Sequence, residues 1–272
     1  SPAQEEPWRR VDTVTVDADA PLVQSSYVLD VDDDGLPEIV YVYEGDEVGT
    51  GGVRWADFEG GTVTDGANWS TYQATRADGS WWIVNEVLDL TGDGDRSEVL
   101  VTSKKSDYRP SDRTGGLYYL SIPEDPTETW SKTTIEDGVS IKMADSGNLF
   151  GDGHSKDVVA VSNLNGGIRL YRYAEDWKVT VIEDEATFYG VTACDLLEGD
   201  RDELFISVAD RGSRVMEYEE GWQLRYVTTN GARDKHDDRT VQYDIDRDGA
   251  DELVTVSDGA NRLEYLEVQR DG

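Results

Sequence analysis

The stretch Asp30-Val31-Asp32-Asp33-Asp34-Gly35-Leu36-Pro37-Glu38, followed at once by Ile39-Val40-Tyr41-Val42-Tyr43, decides the reading of this chain. It is an acidic loop that feeds an alternating strand of β-branched and aromatic residues. The pattern returns four times with falling fidelity, at Asp89 (DLTGDGDRSEVLVTS), Asn148 (NLFGDGHSKDVVAVS), Asp195 (DLLEGDRDELFISVA) and Asp244 (DIDRDGADELVTVS). The starts lie 59, 59, 47 and 49 residues apart, and a recurring interval of this size is the signature of a repeat architecture.

A second marker keeps step with the loops. Trp8, Trp69, Trp130, Trp177 and Trp222 each open a strand-like run. Between each loop strand and the next Trp lies another short alternating run, at 51–60, 115–123, 166–174, 213–220 and 261–269. Each unit thus reads as four strands, and five units predict an all-β, five-bladed β-propeller with four antiparallel strands per blade. The chain opens with an unmatched Trp-led run at 8–16, and its last unit stops after a third strand. The N-terminal strand is therefore expected to pair with 261–269, closing the ring as a single domain over 1–272 and leaving no open edge. The competing fold, a β-sandwich with added hairpins, leaves the shared phase of the two markers unaccounted for.

Composition bounds the partners. With 58 acidic against 25 basic residues the net charge is −33, a field that repels nucleic acid and anionic membranes and opposes compaction unless salt screens it. Only seven of the basic residues are Lys, and this balance resembles that of proteins from salt-loving microbes. No run approaches the roughly 18 consecutive apolar residues of a membrane span. The N-terminus carries neither a basic nor an apolar leader region, which fits either a cytoplasmic chain or a mature product whose leader is gone; an extracellular or cell-surface protein in its mature form is the expectation. Cys194, the sole cysteine, lies in a strand-like run and reads as a small buried hydrophobe.

The D-x-D-x-D-G-x-x-E loop followed by a strand, once per unit from Trp8 to Gln269, resembles the FG-GAP/VCBS-repeat family of β-propellers, in the style of integrin α-subunit propellers. The resemblance implies the fold and calcium loops, in a family that includes adhesins, lectin-like modules and polysaccharide-degrading enzymes. The phenylalanyl-glycyl and glycyl-alanyl-prolyl signatures are missing, and there are five units rather than the more usual seven.

The loops also suit calcium on their own chemistry. This hard cation takes six to eight oxygens, and carboxylates at alternate loop positions converge on it around a glycine turn. Asp30, Asp32, Asp34 and Glu38, with the Leu36 carbonyl, form one such set; Asp244, Asp246, Asp248 and Glu252, with the Ala250 carbonyl, form another. The second loop offers a poorer set in Asp89, Thr91, Asp93 and Glu98, with Asp95 near. The third has Phe150 and the fourth Leu197 and Gly199 where oxygens are wanted, so both are expected to bind nothing. The bland alternative is that the aspartates make side-chain-to-backbone turns.

The opposite face is expected to carry the ligand site. Residues 104–113 and 233–239 hold seven of the 25 basic residues, among them Lys104, Lys105, Arg109, Arg113, Arg233 and Arg239. Tyr108, Trp81 and Trp82 lie with them, while Phe188 and Tyr189 hold the matching place in the fourth unit. Rings stack on sugar faces and Arg forks bind anions, so an acidic polysaccharide or a protein partner is expected. The competing classes are a polysaccharide lyase or glycoside hydrolase on an anionic glycan, and a structural subunit of a surface assembly. For catalysis the candidates are Glu86 and Asp145 as paired carboxylates, with His236, Arg239 and Tyr27 as the groups a lyase would use.

Overall fold

The computed structural model describes residues 13–20, 22–44, 51–76, 81–88, 90, 98–104, 115–152, 157–162, 167–173, 176–184, 188–197, 199–208, 212–227, 237–243, 245, 252–257 and 262–266. Within them the chain is all-β, arranged as five separate antiparallel sheets of strands consecutive in sequence. The first holds β1 (Leu22–Leu29), β2 (Glu38–Glu44), β3 (Gly52–Phe58) and β4 (Trp69–Arg76). The second holds β5 (Trp81–Leu88), β6 (Glu98–Lys104), β7 (Gly116–Ser121) and β8 (Ser131–Asp137). The third holds β9 (Met143–Gly147), β10 (Asp157–Val161), β11 (Ile168–Tyr173) and β12 (Trp177–Glu183). The fourth holds β13 (Phe188–Cys194), β14 (Glu203–Val208), β15 (Gly212–Tyr218) and β16 (Trp222–Val227). The fifth has three, β17 (Asp237–Tyr243), β18 (Glu252–Ser257) and β19 (Arg262–Leu266).

Packing explains why the second strands read as unbroken apolar runs. Successive side chains on a strand point to opposite faces, and here both faces of the middle sheets are covered. Val99 and Val101 of β6 join Trp55, Val40 and Val42 in the core shared with the first sheet. Leu100 between them points the other way, into the core with Ala144, Val158 and Tyr171 of the third. Val159 and Val161 meet Val191, Leu204 and Ile206 in the next core, and Phe205, Cys194 and Leu253 form a smaller one between the fourth and fifth sheets. Cys194 is buried there, as its sequence context indicated. Within this row β5 lies against β1, β9 against β5, β13 against β9 and β17 against β13.

This arrangement overturns the expected five-bladed propeller of four-stranded blades. Among the described residues no sheet closes on itself, the fifth has three strands, and no packing of comparable extent joins β17 back to β1. Large apolar side chains accordingly stay exposed at the two ends of the row, Val28 on β1 and Val241 and Tyr243 on β17. The expected closing partnership of 8–16 with 261–269 falls largely outside the described residues; residues 13–16, which are described, form no strand.

The described N-terminal segment is instead fastened to the first sheet. Asp17 Oδ2 accepts hydrogen bonds from Tyr41 Oη at 2.5 Å and Arg54 Nη1 at 2.8 Å. The Arg54 guanidinium also lies 4.4 Å from the centre of the Tyr43 ring. Burial works against the Asp17 charge, but the Tyr41 and Arg54 hydrogen bonds outweigh it and hold the carboxyl below its ordinary range. Val14 and Thr15 run past Gly66 in the 3-10 turn Gly66–Asn68. A half-buried ionic clasp of this kind leaves no trace in a strand pattern.

Replacing Asp17 removes the acceptor for two part-buried hydrogen bonds at once. Asp17→Ala is expected to cost about 1–3 kcal/mol, read as a lower urea midpoint with an unchanged slope. Tyr41→Phe, which removes one donor and leaves the ion pair, is expected to cost less.

Candidate metal centre

Each acidic stretch ends on a carboxylate that opens the second strand of its sheet: Glu38, Glu98, Asp157, Glu203 and Glu252. Among the described residues these five are the only charged ones that are buried, none more than 4% exposed. Charged side chains are almost never fully buried unless paired, so five at equivalent places require a common reason. Backbone amides supply part of it. Glu38 Oε2 accepts from the Val31 N–H at 2.6 Å, Glu98 Oε2 from Leu90 at 2.7 Å and Glu252 Oε2 from Ile245 at 2.7 Å. Glu203 Oε2 accepts from both Leu196 and Leu197 at 2.9 Å. The acid ties the start of the loop to its end, a latch that fixes the hairpin.

The first loop is described in full. Asp33, at φ 62°, and Gly35, at φ 85°, turn the chain through the left-handed region, which asparagine, aspartate and glycine tolerate best. Asp30 Oδ2 accepts from the Gly35 N–H at 3.0 Å, Asp32 Oδ1 from Asp34 at 3.2 Å, and Asp34 Oδ1 from Leu36 at 2.7 Å. The loop therefore does contain side-chain-to-backbone turns. Such bonds leave carboxylate oxygens to spare, since each ionised carboxylate has about four lone-pair sites. One oxygen each from Asp30, Asp32 and Glu38 lies within 4.8 Å of the others. Asp34 stands outside that trio, bonded to Leu36.

Glu38 is the decisive member. Its side chain is fully buried, and its second oxygen, Oε1, has no hydrogen-bond partner. Burial pushes its carboxyl up to about 7, with the charges of Asp32, Asp30 and Asp34 adding repulsion. A buried oxygen without a donor is costly, and the carboxylate that carries it belongs to the acidic trio that could hold a cation. Asp30, Asp32 and Glu38 are the residues that would hold it, with chemistry hard enough for calcium.

The other loops differ in what they offer. Asp89, Thr91, Asp93 and Asp95 of the second, and Asp244, Asp246, Asp248 and Ala250 of the fifth, lie outside the described residues; Glu98 and Glu252 are buried latches. In the third loop, Arg172 Nε lies 3.1 Å from Asp157 Oδ1, Arg172 Nη2 is bonded to Asp152, and the guanidinium stacks 4.6 Å above the Phe150 ring. The third and fourth loops are joined to each other. Asn148 N–H donates to Asp202 Oδ2 at 2.6 Å, and Gly147 is required because a Cβ there would sit 2.5 Å from that same oxygen.

Of the residues expected to bind a ligand, Trp81 and Trp82 begin β5, and Trp81 pairs with Lys104 across the β5–β6 ladder. Arg239 stands opposite Val256 in β17. Lys105, Tyr108, Arg109, Arg113, Arg233 and His236 lie outside the described residues. Phe188 is not an exposed platform: it is fully buried in the core between the third and fourth sheets. Glu86 opposes Leu100 next to a bulge. Asp145 Oδ2 accepts from the Ala193 N–H at 2.9 Å, which makes it a staple between β9 and β13. Tyr27 is partly exposed on β1.

Two of the five buried loop-closing acids, Asp157 and Glu203, are not among the residues the sequence reading names, although the signal is present. In every unit an acid stands eight or nine residues after the loop start and immediately before the apolar run.

Glu203 gives the latch a measurable pH signature. Burial, then the Glu217 and Asp195 charges, push its carboxyl up to about 7 despite the two amide bonds. The unfolded state therefore loses this proton first as pH rises, and stability falls between about 4.5 and 7 before levelling. Glu203→Gln keeps an oxygen for both amides and removes the titration. Its stability relative to wild type is expected to rise by about 2–3 kcal/mol across that interval. Glu203→Leu strands two buried amides and is expected to be destabilised by about 2–4 kcal/mol at pH 5. Denaturant titrations from pH 4 to 8 measure both.

No protein-family model matches the chain and no curated protein matches it, so the functional reading rests on the chemistry of the loops.

Proposed function

We propose that this chain is a non-catalytic binding or adhesion module of the extracellular space or cell surface, with the loop at 30–38 braced by calcium. One observation carries the metal half. The fully buried Glu38 leaves one oxygen unpartnered beside Asp30 and Asp32, and a divalent cation supplies the missing positive charge. Loop carbonyls and water would complete a shell of six to eight oxygens. Extracellular modules of this kind bind calcium at about 0.1–1 mM, which suits a protein working outside the cell.

The binding half is supported by the register that sets Trp81 opposite Lys104. Cationic residues bind carboxylate or sulfate and rings stack on sugar faces, so these two residue types at one register position make an anionic glycan the favoured partner. Asp145, one half of the alternative catalytic pair, is held by the Ala193 amide, and no observation favours the enzyme reading over the binding one.

Thermal unfolding with calcium and with chelator, at constant ionic strength, tests the brace. Free calcium at ten times the dissociation constant is expected to add about 1.4 kcal/mol per occupied site, raising the midpoint by about 2–5 °C. Glu38→Gln is expected to remove this loop's share of the shift; an unchanged wild-type midpoint would contradict the brace. Binding to an array of carboxylated and sulfated glycans in molar salt tests the partner, and binding to none would remove that half.

A further inference from the structure

Across from four of the loop-closing acids, the third strand of the same sheet places one residue at the facing register position. One step beyond the Ile39–Ala56 pair, Glu38 faces Asp57. Glu98 pairs with Ser121. One step beyond Val158–Tyr171, Asp157 faces Arg172, and one beyond Leu204–Met216, Glu203 faces Glu217. The 3.1 Å contact between Arg172 and Asp157 shows that residues so placed do meet.

These facing residues differ in charge, and the loops differ with them. In the third loop the guanidinium of Arg172 reaches Asp157 and Asp152 and rests on Phe150, the ring that stands where a metal ligand would be wanted. In the fourth, Glu217 is answered by Arg225 Nε of β16 at 2.7 Å, and Arg225 Nη2 also holds Glu219 at 2.6 Å. Among the described residues no basic side chain pairs with Asp30, Asp32, Asp34, Glu38 or Asp57. Asp57 adds a further carboxylate there, and burial together with the Asp32, Glu59 and Asp34 charges pushes its carboxyl above the ordinary range.

We propose that the third-strand residue facing the loop acid selects the cation of each loop: Arg172 is the built-in cation of the third, and Asp57 makes the first take a divalent ion from solution. This rests on the calcium reading of the first loop and extends it to a residue outside the loop. The physics is local charge balance. A buried carboxylate calls for a nearby positive charge; a guanidinium provides it permanently, whereas an added carboxylate deepens the deficit that a divalent ion would fill. The planar fork of arginine suits the permanent role better than lysine does.

Calcium titration calorimetry on the full chain, at constant ionic strength, tests this with wild type, Asp30→Asn, Asp57→Asn and Asp57→Arg. Asp30→Asn is expected to delete one binding event, which identifies the first loop. Asp57→Asn is expected to weaken that same event by about tenfold. Asp57→Arg is expected to abolish it while leaving the melting midpoint in chelator at or above that of wild type. If Asp30→Asn deletes an event that both Asp57 variants retain at wild-type affinity, the selector is overturned and the calcium reading stands. If wild type shows no event that Asp30→Asn removes, the calcium reading itself falls, and the selector with it.

Discussion

Burying a carboxylate at the first residue of a strand is the constraint on which this structure depends. Desolvation penalises the charge heavily, and only hydrogen bonds or a counter-charge offset it. The chain repeats this burial five times, and each described loop is shaped by how the debt of charge is met. Amides at the loop start answer one oxygen of Glu38, Glu98, Glu203 and Glu252. Arg172 answers Asp157. Among the described residues nothing answers the second oxygen of Glu38.

The latch and the core depend on each other. A second strand with both faces packed cannot shift register without moving apolar side chains into the wrong core, and the latch fixes that register at its first residue. Glu203 precedes Leu204, Phe205 and Ile206, which alternate between two cores; Glu38 precedes Val40 and Val42 in the same manner. Loop and sheet are thus positioned by one residue, which explains why an expensive buried acid stands there rather than a serine. The surplus of surface acid adds long-range repulsion to every latch, so salt and divalent ions act on this fold through the same charges.

Much of this was legible in the residues. The alternation after Glu38, Glu98 and Glu252 marked the second strands, and Asp30, Asp32 and Glu38 do converge. What was not legible depended on distant partners. Glu38, Glu98 and Glu252 read only as metal ligands, because sequence does not show the two packed faces that bury them. The Asp17 clasp joins residues 24 and 37 positions apart, so the N-terminal segment looked like a spare strand for the fifth sheet. From that follows the closed ring of four-stranded blades, which the three-stranded fifth sheet and, among the described residues, the lack of comparable packing between β17 and β1 overturn. Phe188 looked like an exposed ring for the same reason, its covering residues lying in neighbouring sheets.

The central claim is that the Glu38 charge is completed by an ion. A crystal structure at near-atomic resolution, from crystals grown in calcium near neutral pH, tests it most directly. The account predicts an ion about 2.3–2.6 Å from Glu38 Oε1 and from oxygens of Asp30 and Asp32, with the two Glu38 C–O bonds of equal length. A Glu38 with unequal C–O bonds, protonated and with no ion before it, would contradict the account.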